Sequence, residues 1–309
     1  MENRQEIKVV ITVENLVKTY GSLRAVDGVS FEVYENEIFG VVGPNGAGKT
    51  TMVECLEGLR VPSSGSIRVL ELNPKADGYR LRQLIGIQLQ EGKFPDKIKS
   101  REALELFASL YPHSLPAMSL LEKVGLLDKA GSYYDNLSGG QKQRLSIALA
   151  LVNDPQVVFF DELTTGLDPQ ARRAMWGLVS SIREAGKTVI LVTHFMEEAE
   201  RLCDRVAIVD RGRIIALDTP PNLIRSLNSG WKVNFSMDDS KVVTQLKSID
   251  KCQLTVSNQD ITIQCADGRS VGDIIRILED NNCNFRDFTV SKPTLEDVFL
   301  SLTGKEMRE

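Results

Sequence analysis

Three short clusters in this 309-residue chain carry residue types that can handle phosphate. Gly43-Pro44-Asn45-Gly46-Ala47-Gly48-Lys49-Thr50 fits the pattern G-x-x-x-x-G-K-[ST]. Its glycines let the backbone curl so that successive N–H groups point at phosphate oxygens. The N-terminus of the helix that follows adds partial positive charge. Lys49 is placed to reach β- and γ-phosphates, and Thr50 to put its hydroxyl on Mg²⁺. Downstream, the apolar run Val157 to Phe160 ends in Asp161-Glu162. A carboxylate at the end of a buried strand is costly unless it meets a cation or donors, and Mg²⁺ would resolve that cost for Asp161. Glu162 points elsewhere and is the natural candidate to polarise an attacking water. Between these two clusters, Ser138-Gly139-Gly140-Gln141 opens another helix whose first N–H groups are free for an anion. A single nucleotide does not need two phosphate sites in one chain.

The elements around these clusters are legible from their periodicity. Val9 to Tyr20 alternates apolar and polar residues like an edge strand, and Phe31-Glu32-Val33 continues a small antiparallel sheet. Ile38 to Val42 is continuously apolar and reads as a buried strand. It feeds the glycine-rich turn and a helix over Lys49 to Leu56, with Gly58 just past its end. A strand is expected over Ser66 to Leu70. Residues 97–152 are almost all helical in pattern, with Ser100 as N-cap and Asn153-Asp154-Pro155 as the stop. Thr188 to Val192 and Val206 to Val209 read as further buried strands. Asp168 caps a helix with Pro169 at its first position and Gly186 beyond its end. Asp210-Arg211-Gly212-Arg213 reads as a hairpin turn.

Asn228-Ser229-Gly230 marks the expected domain boundary, giving one domain over residues 1–227 and another over 231–309. The second mixes short strands (Lys232 to Phe235, Gln253 to Val256, Ile261 to Cys265, Phe288 to Val290) with a helix over Val271 to Leu278. A last helix opens on Thr294-Leu295-Glu296-Asp297, with an apolar face of Leu295, Val298, Phe299 and Leu302.

The formal net charge of -5, with Lys and Arg scattered, excludes the basic footprint that neutralises nucleic-acid backbones. The five cysteines are far apart, and His113 and His194 are the only histidines, so neither a zinc site nor a disulfide framework is expected. No apolar run approaches the ~20 residues needed to span a bilayer. A membrane process would need another polypeptide to cross the membrane.

Many ATPases and GTPases carry the glycine-rich loop and the strand-end carboxylates. With Leu137-Ser138-Gly139-Gly140-Gln141 between them, the chain resembles the nucleotide-binding subunit of an ABC transporter over roughly residues 8–225. The resemblance implies an α/β P-loop fold: a mixed sheet core, an antiparallel β subdomain and a helical subdomain near 97–152, followed by the small α+β domain. It implies ATP and Mg²⁺ as cofactors, and a head-to-tail dimer with two ATP molecules at its interface. Within it, Gly43 to Thr50 and the adjoining Thr51 hold phosphate, with Thr50, Asp161 and Gln90 around the metal. Ser138, Gly139, Gly140 and Gln141 close on the γ-phosphate held by the opposite subunit. His194 matches the switch histidine that contacts the γ-phosphate and orients Glu162 and the water, making Lys49, Glu162 and His194 the catalytic set. Gln90 matches the glutamine that senses Mg²⁺ and signals to the membrane subunit, with Gln88 as the competing register. Tyr20 lies where an aromatic stacks on adenine, or is an ordinary edge-strand tyrosine. Asp168, in Thr165-Gly166-Leu167-Asp168, belongs to the loop that crosses the dimer interface. The family usually has Pro after the strand-end Glu, where this chain has Leu163; Leu keeps a backbone N–H and could loosen that turn.

The ending Pro293 to Gly304 resembles ATPase subunits of bacterial ABC-2 type exporters, the group of the daunorubicin-resistance and sodium-export types. The partners implied are a separate transmembrane permease and a second ATPase subunit, with a homodimer favoured over a heterodimer. The place implied is peripheral, on the cytoplasmic face of the plasma membrane. An importer ATPase and a soluble ABC ATPase acting on nucleic acid or ribosomes are the competing readings. The single set of motifs and the acidic balance weigh against the soluble one.

Overall fold

A computed structural model of the chain describes residues 8–88, 97–227, 230–237, 242–250, 252–257, 259–265 and 269–304. The chain divides into two compact units, one ending at Pro220 and the other beginning at Pro221. The helix Pro220–Ser226 opens at this division, ahead of the expected boundary at Asn228-Ser229-Gly230.

The larger unit is organised by a six-stranded sheet. Its strands run in the order Ile85–Ile87, Val157–Asp161, Thr188–Thr193, Ile38–Val42, Arg205–Asp210, Arg213–Asp218. The first five are parallel and only the last is antiparallel. Parallel strands covered on both faces read as near-continuous apolar runs: every residue of Ile38–Val42 and Thr188–Thr193 is buried, the second apolar from Val189 to Val192 between two buried threonines. A three-stranded antiparallel sheet pairs Val9–Tyr20 with both Leu23–Tyr34 and Ser64–Val69. The two sheets share one core, in which Ile11, Leu16, Phe39, Met52, Leu56 and Phe159 are all but fully enclosed. Phe31 and Phe39 stack at 5.2 Å between ring centroids.

The segment expected to be almost wholly helical is broken. It holds helices Ser100–Ala108, Ala117–Lys123 and Gly139–Ala150, with two 3-10 turns between the second and third. Pro112 and Pro116 remove donors, and Gly125 adopts a left-handed φ of 66°, so the helical pattern cannot run on. Ser100 is not the cap. It is the first helical residue and is buried, while the N–H of Lys99 donates to the Glu102 carboxylate at 3.0 Å. Asn153 does more than punctuate, because its amide donates to the carbonyls of Arg82, Gln83 and Ile85 at 3.3, 3.1 and 2.9 Å. It thereby pins the chain just past the helix Gly139–Ala150 to the sheet edge.

The smaller unit carries a four-stranded antiparallel sheet in the order Cys252–Ser257, Asp260–Cys265, Trp231–Met237, Phe285–Ser291. Val233, Phe235, Ile261 and Ile263 pack with Ile274 and Leu278 of the helix Arg269–Asp280. The last helix, Leu295–Thr303, starts as expected: Thr294 N–H donates to Asp297 at 2.8 Å and Asp297 N–H donates back to the Thr294 hydroxyl. Leu302 is 50 % exposed, so the buried face is Leu295, Val298 and Phe299 alone. Contrary to the sequence reading, Cys252 and Cys265 form a disulfide. Strand register explains it. The two residues lie directly opposite, with Cα atoms 4.2 Å apart, the close spacing of a non-hydrogen-bonded antiparallel pair.

Candidate functional site

The glycine-rich loop joins the strand Ile38–Val42, in the interior of the parallel sheet, to the helix Lys49–Leu56. Gly48 takes φ 99°, and a Cβ there would run into the carbonyl oxygen of Ala25. Gly43 lies equally hard against the carbonyl of Val209. No side chain caps the helix, so its first-turn N–H groups face the loop's hollow. Lys49 is 5 % exposed, and its ammonium donates to the carbonyls of Gly43 at 2.7 Å and Pro44 at 3.0 Å. Burial pushes its pKa down, and the carboxylates of Glu162 and Asp161 pull the other way.

Adjacent parallel strands deliver the rest. Val157–Asp161 ends with Asp161 against the loop, where Thr50 Oγ1 donates to Asp161 Oδ2 at 3.1 Å. Glu162 N–H still pairs with Val192 O at 2.9 Å, but Glu162 takes a left-handed φ of 48° and the chain turns away. For a non-glycine residue that conformation is uncommon and concentrates at functional sites. Thr188–Thr193 is the neighbouring strand, and His194 follows it. His194 Nδ1 meets Glu162 Oε1 at 3.2 Å. Leu163, in place of the expected Pro, is fully buried and anchors the far side of this turn.

A cleft of about 510 Å³ runs over the loop, lined by Tyr20, Ala25, Asn45 to Thr51, Glu162 and Gly212, among others. Tyr20 stands at its mouth, 41 % exposed, with Lys18 Nζ 5.1 Å from the ring centroid. Ser138, Gly139, Gly140 and Gln141 do not line it. They form a separate helix start: Gln141 N–H donates to Ser138 Oγ at 3.3 Å, and Ser138 N–H to the Gln141 amide at 2.9 Å. Asp168 caps the helix Pro169–Glu184, accepting from the N–H groups of Gln170 and Ala171 at 2.9 Å. Gln90 lies outside the described residues. Gln88 is buried and accepts from the Asp161 N–H at 3.2 Å, which stiffens the strand end that carries the acidic pair.

Among the described residues, three buried acids escaped the sequence reading, Glu37, Glu57 and Glu198, and the last two lie on elements next to the site. Glu57, just past the helix Lys49–Leu56, is 6 % exposed. Burial first, then the nearby Asp161 and Glu54, push its pKa up to about 8. Glu198 is buried and accepts a hydrogen bond from the Trp176 indole N–H. Nothing in the pattern of either segment marked these carboxylates as enclosed. Helical spacing from Met196 would have placed Ala199, not Glu198, inward.

A family model described as ABC transporter matches residues 26–165. The Nod factor export ATP-binding protein I of Rhizobium meliloti (strain 1021) is 37% identical over 306 residues, covering 97% of this chain and 90% of that protein. The chain belongs to the ABC transporter ATP-binding family. A daunorubicin resistance ATP-binding protein of Streptomyces coeruleorubidus is 34% identical over 309 residues, covering 96% of this chain and 97% of its own length. Among solved structures, an ATP-binding subunit of an ABC transporter superposes with a TM-score of 0.64 at 28% identity, covering 71% of this chain and 93% of that one. A dimeric ATP-binding cassette in a post-hydrolysis state, bound to ADP and Pi, superposes at 0.61 with 27% identity, over 68% and 98%. The chain is thus a nucleotide-binding, ATP-hydrolysing cassette subunit with the P-loop fold of that family. Subunits of this family pair with one another and work with a membrane component. Among the described residues no helix is long and apolar enough to cross a membrane.

Proposed function

We propose that this cassette drives export through a separate membrane permease, acting on its cytoplasmic face as a head-to-tail homodimer. One observation carries the pairing: Glu162, which contacts His194, lines the loop's cleft, whereas the Ser138–Gln141 helix start is not part of that lining. A second copy supplies that missing anion site. Export is favoured because the chain matches export-named relatives at 36–38% identity along nearly its whole length.

In this reading the loop N–H groups from Gly43 to Thr51 cradle the phosphates, and Tyr20 stacks on the adenine. Lys49, already under the loop, exchanges its carbonyl partners for β- and γ-phosphate oxygens. Glu162 accepts a proton from the attacking water as it polarises it. The contact from His194 holds the Glu162 carboxylate in place and leaves its other ring nitrogen to face the γ-phosphate. The donor set suits Mg²⁺: the Thr50 hydroxyl and Asp161 carboxylate are hard oxygen ligands brought to 3.1 Å, with Gln90 assigned beside them by resemblance. The chemistry that ion supplies is neutralisation of charge on the phosphate oxygens. Asp168 sits in the loop crossing between copies while it caps its own helix.

Glu162→Gln is the test. It should cut kcat by ~10²–10⁴-fold while the ATP-bound dimer accumulates in size-exclusion chromatography. ATP-dependent dimers that form in wild type but vanish in Glu162→Gln would sink the assignment. In that same background, tagged chain purified from detergent-solubilised membranes should bring down one polypeptide with several membrane spans. Recovery with ribosomes or nucleic acid instead would overturn the export reading and leave the ATPase chemistry standing.

A further inference from the structure

Glu198 lies on the helix Met196–Leu202 and is 1 % exposed. Its Oε1 accepts from the indole Nε1–H of Trp176 at 3.1 Å. The side chains of Thr193, Thr164 and Arg172 face the same carboxylate. These partners are not a random lining. Thr193 immediately precedes His194, and Thr164 stands two residues beyond Glu162, at the start of the loop that ends in Asp168. Trp176 and Arg172 lie on the helix that Asp168 caps. Arg172 also places its guanidinium 4.5 Å from the Phe195 ring, and Phe195 N–H donates to Thr193 Oγ1 at 3.0 Å.

A carboxylate enclosed this fully is a costly choice for packing, and it stays only where its partners hold it. Here the pairing is incomplete. Among the described residues, Glu198 Oε2, Thr164 Oγ1 and Arg172 Nε are all buried and none meets a partner in full hydrogen-bond geometry, although the Thr164 hydroxyl lies close enough to the carboxylate to favour its charged form. One is an acceptor and two can donate, and all three belong to groups that face one another.

We propose that Glu198 is a positioning residue for ATP hydrolysis: it ties the Thr164–Asp168 loop to the strand carrying His194, and its open bonds close when that loop moves against a second cassette. The inference rests on the reading of Glu162 and His194 as the hydrolytic pair. Through Thr193 the clamp sets where His194 points, and through Thr164 it sets the turn that aims Glu162. Closure of the dimer would thus align the pair from beneath, without Glu198 touching nucleotide.

The experiment is a double-mutant cycle on the full chain, with Glu198→Gln, Thr164→Val and the pair combined, each read by Mg-ATP kinetics and thermal melting. The single variants should lose about tenfold in kcat with KM for ATP within about twofold, and the double variant should be no slower than the worse single. Additive losses, or kcat unchanged with only a lower melting temperature, overturn the proposal and leave Glu198 as a packing residue. Should Glu198→Gln fail to fold, Trp176→Phe removes only the N–H donor. It should lower kcat about threefold at unchanged KM, and unchanged kcat counts against the clamp. ATP hydrolysis by wild type separates the two readings. An inactive wild type overturns the hydrolytic site and the clamp with it, whereas an active wild type with unaffected variants overturns the clamp alone.

Discussion

Replacing Glu57 by Gln should make the large unit more stable, and more so as pH rises. Glu57 is 6 % exposed and lies close enough to Asp161 and Glu54 for both to disfavour its charge. Its pKa rises from an ordinary 4.5 to about 8. A raised carboxyl pKa means that the folded state holds the proton more tightly than the unfolded chain. The stability this contributes is fully present below about pH 4.5 and is lost as pH climbs through about 8. At 1.36 kcal/mol per unit, the complete loss is about 5 kcal/mol, of which about 2.5 kcal/mol falls between about pH 5 and about pH 7. Glutamine keeps the shape and cannot ionise, so it escapes that loss. The assay is urea unfolding in EDTA without nucleotide, in a Trp231→Phe background that leaves Trp176 as the sole tryptophan and the reporter of the large unit. The advantage of Glu57→Gln over Glu57 should grow by about 2.5 kcal/mol from about pH 5 to about pH 7. A difference constant to within about 0.5 kcal/mol over that range would show that Glu57 is ionised in the folded protein, and the reasoning would fail.

Gly48→Ala should weaken ATP binding by about tenfold or more in titration calorimetry, because φ 99° and the Ala25 carbonyl both oppose a Cβ. Asp168→Ala removes the acceptor for two N–H groups and should cost about 1 kcal/mol in the urea midpoint, with Asp168→Asn recovering most of it. Replacing Cys252 and Cys265 with Ser opens a loop of sequence separation 13 and should cost the small unit about 3 kcal/mol, read by Trp231 fluorescence. Alkylation under non-reducing conditions with mass spectrometry checks the cross-link itself.

Much of this protein is written locally. A phosphate loop is a run of adjacent residues whose glycines and lysine act through their own backbone, so Gly43 to Thr50 announces itself. So do the buried strand Ile38–Val42, the helix Lys49–Leu56 with the same bounds as expected, and the Asp168 and Thr294 caps. Continuous apolar runs and capping residues report on their own few neighbours, and the chain order of motifs was enough to point to the family. Distant pairings were not legible. The His194–Glu162 contact depends on Val157–Asp161 and Thr188–Thr193 lying side by side in one register, which no local pattern encodes. Register also placed Cys252 opposite Cys265, and enclosure by elements far apart in the chain decided the states of Glu57 and Glu198. Hydrogen bonding within a helix or turn is settled by sequence neighbours. Burial, strand register and the charge state of an enclosed acid are settled by whatever packs against it, and only the tertiary fold chooses that company.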